Sequence, residues 1–80
     1  MMLIQVLGPG CARCQALANN VAEAVRQLGI SAEIEKVTDL NQIISFGVVA
    51  TPALVVNGEL KLSGKVASVD EIKEILFAAK

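Results

Sequence analysis

Apolar and polar positions change rhythm several times along these 80 residues, and each change marks an element. Met2 to Leu7 is apolar except for Gln5, the pattern of a strand buried on both faces. Gly8, Pro9 and Gly10 break it. From Ala12 to Leu28 the rhythm is helical, with Leu17, Val21, Val25 and Leu28 on one stripe and Gly29 as the stop. Ile30 to Val37 alternates, Ile30, Ala32 and Ile34 against Ser31, Glu33 and Glu35, which predicts a strand with one solvated face at a sheet edge. Asp39 to Phe46 reads as a short helix, N-capped by Asp39 with Gln42 three residues on, ending at Gly47. Its Leu40, Ile43 and Ile44 are expected to face inward. Ala53 to Val56 is a second unbroken apolar run, Asn57-Gly58 is a strong hairpin signal, and Glu59 to Ser63 alternates with Leu60 and Leu62 inward. Ser68 and Glu71 form a capping box for a closing helix whose apolar face is Val69, Ile72, Ile75 and Leu76.

The order is β-α-β-α-β-β-α, an α/β pattern. A helix between the first two strands favours a parallel, right-handed crossover. The first and third strands are central by composition and the second and fourth lie at the edges. This implies a four-stranded mixed sheet of order 2-1-3-4 with helices on both faces, within one domain spanning residues 1–80. An apolar content of 54% is ample for its core.

Charge and composition narrow the partners. Seven basic and eight acidic residues, scattered singly, give a net charge of -1 and no field for steering nucleic acid or an anionic membrane. Two Phe with no Trp or Tyr offer no platform for stacking bases. The apolar run from Met1 to Leu7 is too short for a signal segment and lacks a basic flank, so the expected compartment is the cytoplasm, without a membrane span. A monomer is expected.

The candidate chemistry sits between the first strand and the first helix. Cys11 and Cys14 are the only cysteines, three apart at a helix N-terminus, whose unpaired N-H groups favour a thiolate. Cys14 extends the apolar stripe backwards from Leu17 and should face inward, whereas Cys11 belongs to the exposed tip of the first turn. The two thiols are therefore inequivalent: Cys11 reads as the attacking nucleophile and Cys14 as the shielded resolving thiol. A disulfide closing so short a loop restrains the unfolded chain by roughly 2 kcal/mol, against about 4.7 for a hundred-residue loop, so exchange suits it better than stapling. Arg13 has two readings, a guanidinium that lowers the Cys11 pKa and a solvated surface residue. Val48, Val49 and Ala50 likewise read as an apolar lip for a partner or as core.

A soft-metal carrier of Cu(I) is the alternative use of the same CxxC spacing. Small metallochaperones resemble GMTCxxC and run βαββαβ, whereas here Pro9 stands two before Cys11 and the last element is a helix. A structural zinc site lacks ligands, the chain having two cysteines and no histidine.

CxxC in a βαβ setting, Thr51-Pro52 just before the third strand, and the order of elements together resemble the thioredoxin and glutaredoxin superfamily. The nearest likeness is to the short prokaryotic thioredoxin-like family called redox-active disulfide protein 2. It runs over essentially the whole chain, including Asn57-Gly58, Gly64 and Ser68 to Glu71. The resemblance implies a thioredoxin-like fold and a thiol-disulfide oxidoreductase whose redox-active disulfide is Cys11-Cys14, with no cofactor. It implies a disulfide-bearing protein substrate, an upstream reductase and, through Thr51-Pro52 and Gly64 to Asp70, glutathione as a further partner. It makes Pro52 cis and close to the cysteines, and assigns substrate contact to the Thr51 backbone, Pro52 and Gly64. Gly10, flanking Pro9, reads from the residues as keeping the substrate's approach to Cys11 free of side chains, or as loop punctuation. The residues alone read Pro52 as a trans proline starting a strand. The chain departs from WCGPC and CPYC, and Gln5 stands six residues before Cys11, where typical thioredoxins carry a buried acid.

Overall fold

The computed structural model describes residues 1–10 and 12–79. Their elements run β1 (Met2–Leu7), α1 (Ala12–Leu28), β2 (Ala32–Val37), α2 (Leu40–Ser45), β3 (Ala53–Val56), β4 (Glu59–Ser63) and α3 (Val69–Ala78). The sheet has the order β2-β1-β3-β4, as the apolar runs require. β1 pairs parallel with β2 and antiparallel with β3, which pairs antiparallel with β4. β1, apolar but for Gln5, and β3, apolar throughout, hold the centre because both of their faces need cover.

Strand alternation divides the core in two. Met2, Ile4 and Val6 of β1, with Leu54 and Val56 of β3, pack beneath Leu17, Val21 and Ala24 of α1 and Ile72 and Leu76 of α3. On the opposite face Leu7, Val37, Ala53 and Val55 pack with Val48 beneath Ile43 of α2. Leu17, Ile72 and Leu76 are wholly buried, and each such side chain stabilises the fold by about 1.5–3 kcal/mol. Asn20 Nδ2 donates to Ala67 O at 2.9 Å, tying α1 to the segment ahead of α3.

Local signals set the ends of the elements. Ser68 Oγ accepts from Glu71 N at 3.2 Å while Glu71 Oε1 accepts from Ser68 N at 3.3 Å, the reciprocal capping box expected. Asn57 and Gly58 have φ of 51° and 83°, the paired left-handed residues of a tight hairpin. Asn57 Oδ1 also accepts from Leu3 N at 2.9 Å, fastening the hairpin to β1.

Three expectations need correction. β2 starts at Ala32, two residues later than the alternation suggested. α2 is only six residues long, and its cap is Asp39 accepting from Asn41 N, with no part for Gln42. So short a helix covers one end of the sheet: Ile43 is buried, but Leu40 and Ile44 are exposed. In β4 the register shifts beside Leu54 and Val55, so that Leu62 faces Leu54 while Leu60 faces Val55. That irregularity breaks the alternation and turns Leu60 to the face that α2 leaves open, where it is exposed.

Candidate active site at the start of helix α1

β1 runs straight into the site. Gly8 N donates to Val37 O at 2.9 Å, carrying the parallel ladder one residue beyond the strand before Pro9 and Gly10 turn the chain towards α1. Cys14 lies on the buried stripe of α1 at 6% exposure, inward as the spacing predicted. Its thiol sits directly on Gly8. A Cβ added there would lie 2.2 Å from Cys14 Sγ and 3.1 Å from Cys14 Cβ, so only glycine permits this approach. The same Cβ would lie 3.9 Å from Pro52 Cα, and Cys14 and Pro52 therefore border one glycine. Cys11, the expected nucleophile, lies outside the described residues. Gly10 is exposed with φ +92° and open space where a side chain would stand.

The Thr51-Pro52 peptide bond is cis, with Pro52 buried and Thr51 half-buried. Gly64 N donates to Pro52 O at 2.8 Å, and Arg13 donates from its guanidinium to Gly64 O at 3.1 Å. Arg13 is thus exposed yet anchored, part of a chain of hydrogen bonds from α1 through Gly64 to Pro52. Neither reading of Arg13 from the sequence included this anchor. The structure brings Gly10, Arg13, Cys14, Thr51, Pro52 and Gly64 to one end of the sheet. The apolar segment before Thr51 divides: Val48 is core, whereas Val49 is 97% exposed and Ala50 is exposed.

Gln5 is on the face away from α1, where its Nε2 donates to Glu35 Oε1 at 3.1 Å. The α1 side of Cys14 is lined differently. Val6, Gly8, Gly10, Cys14, Gln15, Lys36 and Thr38 enclose a small cavity of about 20 Å³. Sequence reasoning missed Gly8 as a packing partner and Lys36 and Gln15 as neighbours of Cys14. The available signal was the parallel register, which pairs Lys36 with Val6 and so puts it on the α1 face.

Charged groups elsewhere make local pairs. Hydrogen bonds from Arg26, then Gln27, hold the Glu23 carboxyl down at about 2. Lys65, then the Ser68 backbone, holds the Glu71 carboxyl below its ordinary value. Among the described residues there is no group of three or more His, Cys, Asp or Glu to hold a metal, and no helix long and apolar enough to cross a membrane.

A family model described as thioredoxin domain matches residues 2–77. The chain is similar to a thioredoxin of Methanothermobacter thermautotrophicus, with 55% identity over 76 residues, covering 95% of this chain and 99% of that protein. A thioredoxin of Methanocaldococcus jannaschii is 45% identical over 76 residues, covering 95% of this chain and 87% of that protein.

Proposed function

We propose, from the premise that this chain belongs to the thioredoxin domain family and is a thiol-disulfide oxidoreductase, that Cys11 and Cys14 are the pair that exchanges electrons. The observation that carries this reading is Cys14 held inward on Gly8, beside Pro52, at the first turn of the helix that follows Cys11.

The inequivalence of the two sulfurs gives the order of events. Cys11, as thiolate, attacks one sulfur of a substrate disulfide; that S-S bond breaks, one substrate thiolate leaves, and a mixed disulfide remains. Cys14 loses its proton and attacks the Cys11 sulfur, releasing the second substrate thiolate. The substrate gains two electrons and the pair becomes the Cys11-Cys14 disulfide. An upstream reductase restores the dithiol, with glutathione as the further candidate reductant. The chemistry draws on no group beyond the two sulfurs.

In this reading the Thr51 backbone and Pro52 align an extended disulfide-bearing protein segment. Gly10 and Gly64 keep its approach clear of side chains, and the Arg13 link to Gly64 holds that wall in place. The whole chain serves as one domain, acting as a monomer in the cytoplasm, where a pair of this kind is kept turning over. Copper carriage receives no support from the fold.

Trapping tests the roles. With insulin as substrate, Cys14→Ser accumulates a mixed disulfide through Cys11 and stops there, while Cys11→Ser neither traps nor turns over. Capture through Cys14 would reverse the assignment, and full turnover by both variants would refute it.

A further inference from the structure

The resolving step leaves a question that the family's usual acid does not answer here. Gln5 is neutral, lies on the other face of the sheet and is engaged with Glu35. The chain has no histidine, and among the described residues none that lines the cavity beside Cys14 carries a carboxylate. The cavity does hold a cation: Lys36 lines it, and its Nζ donates to Gln15 Oε1 at 2.8 Å, which fixes the ammonium against α1 one residue beyond Cys14. Because Gln15 is neutral, the hydrogen bond orients the charge without cancelling it. A space of about 20 Å³ exceeds the 10–15 Å³ that one water needs, and the Lys36 ammonium, the Thr38 hydroxyl and the Gln15 amide give such a water partners.

We propose that Lys36, oriented by Gln15, is the positioning residue for the resolving thiol: its ammonium stabilises the Cys14 thiolate across the cavity, and the Cys14 proton leaves through that space to bulk water. The inference rests on Cys14 being the resolving thiol. In the step it assists, the Cys14 S-H bond breaks and the proton passes to solvent. The thiolate then forms the S-S bond to Cys11 as the substrate sulfur departs with its electron pair. Lys36 keeps its own protons throughout.

The other charged groups near these elements are committed elsewhere. On α1, Arg13 donates to Gly64 O. Beyond β2, Asp39 caps α2 through Asn41 N. On β2, Glu35 accepts from Gln5, and Glu33 shares its face by alternation. Lys65 pairs with Glu71. β1, β3 and the Thr51-Pro52 turn bring no titratable side chain to Cys14.

The magnitude follows from two opposed effects. An adjacent opposite charge lowers a pKa by up to about 1–3 units, and for Lys36, exposed and acting across the shared cavity, roughly 0.5–1 is expected. Removing the charge lowers the thiolate fraction tenfold per unit, but the more basic thiolate attacks faster with a Brønsted slope of about 0.4–0.5. The net loss in the resolving rate is roughly two- to fourfold.

The test uses neutral dipyridyl disulfide with the reduced full chain in stopped flow. It releases one thiopyridone when Cys11 attacks and a second when Cys14 resolves. In Lys36→Met the second phase slows two- to fourfold at neutral pH and its pH midpoint rises by roughly 0.5–1 unit, with the first phase unchanged. Lys36→Arg restores both. A second phase in Lys36→Met identical to the parent's in rate and midpoint overturns the proposal, as does equal slowing of both phases. Absence of a second release from the parent protein would instead overturn the resolving role of Cys14.

Discussion

Replacing Gly8 by alanine tests the tightest contact in the site. Gly8 does not have a left-handed φ, so the substitution adds no backbone strain and its effect is steric. The new Cβ would stand 2.2 Å from Cys14 Sγ, well inside any tolerated contact, and 3.1 Å from Cys14 Cβ. Rotation of the thiol clears the first contact and leaves the second, so β1 and the first turn of α1 must also separate. Overpacking of this kind costs about 1–3 kcal/mol, and alanine recovers about 0.4–1 by restricting the unfolded chain. With two contacts this close the cost belongs at the upper end of that range, so a net fall of about 2 kcal/mol is expected, or roughly 8–16 °C in Tm for a chain of this size. The assay is urea unfolding of the reduced protein in a double-mutant cycle. In a Cys14→Ala background the sulfur is gone, only the milder Cβ contact remains, and Gly8→Ala should cost less than about 1 kcal/mol. The coupling between the two positions is then about 1–2 kcal/mol. An equal cost in both backgrounds would refute the claim that Gly8 is glycine for the sake of the Cys14 sulfur.

Three other outcomes follow from local geometry. Ser68→Ala removes one half of the capping box of α3 and should lower stability by about 1 kcal/mol in urea titration, without altering the rate of disulfide exchange. Asn57→Ala loses both the acceptor for Leu3 N and a residue suited to positive φ; it should cost about 1–3 kcal/mol, and Asn57→Gly should cost less because it keeps the backbone conformation. Glu23 has a folded pKa of about 2 against an ordinary 4.5, so the stability its ionisation contributes is complete above pH 4.5 and disappears as pH falls towards 2. Glu23→Gln should therefore lose less stability than the parent between pH 5 and 2 in urea titrations, and an identical loss would contradict that linkage.

The sheet order was legible because β3 is apolar throughout, β1 is apolar but for Gln5, and β2 alternates, which leaves few ways to arrange them. The inward placement of Cys14 was legible too, since one helical period links it to Leu17. Leu40, Ile44 and Leu60 were misread for a shared reason. Periodicity shows which residues share a face, but it does not show how far a six-residue helix reaches or where a strand takes an extra residue. The surroundings of Cys14 were hidden for a different reason. Lys36 and Gln15 are 21 residues apart in sequence and meet only through the parallel register of β1 and β2, and the Arg13 bond to Gly64 spans 51. Gly8 looked like loop punctuation, whereas its lack of a side chain is a packing requirement.

The central claim is that Cys11 and Cys14 interconvert reversibly between dithiol and disulfide within one chain. The most direct test is a redox titration of the purified protein in dithiothreitol buffers, with both cysteines read by thiol labelling and mass. The account predicts a single two-electron transition, with both thiols protected together, at a midpoint of roughly -200 to -300 mV. Labelling of both cysteines at every potential, with no intramolecular disulfide formed, would contradict it.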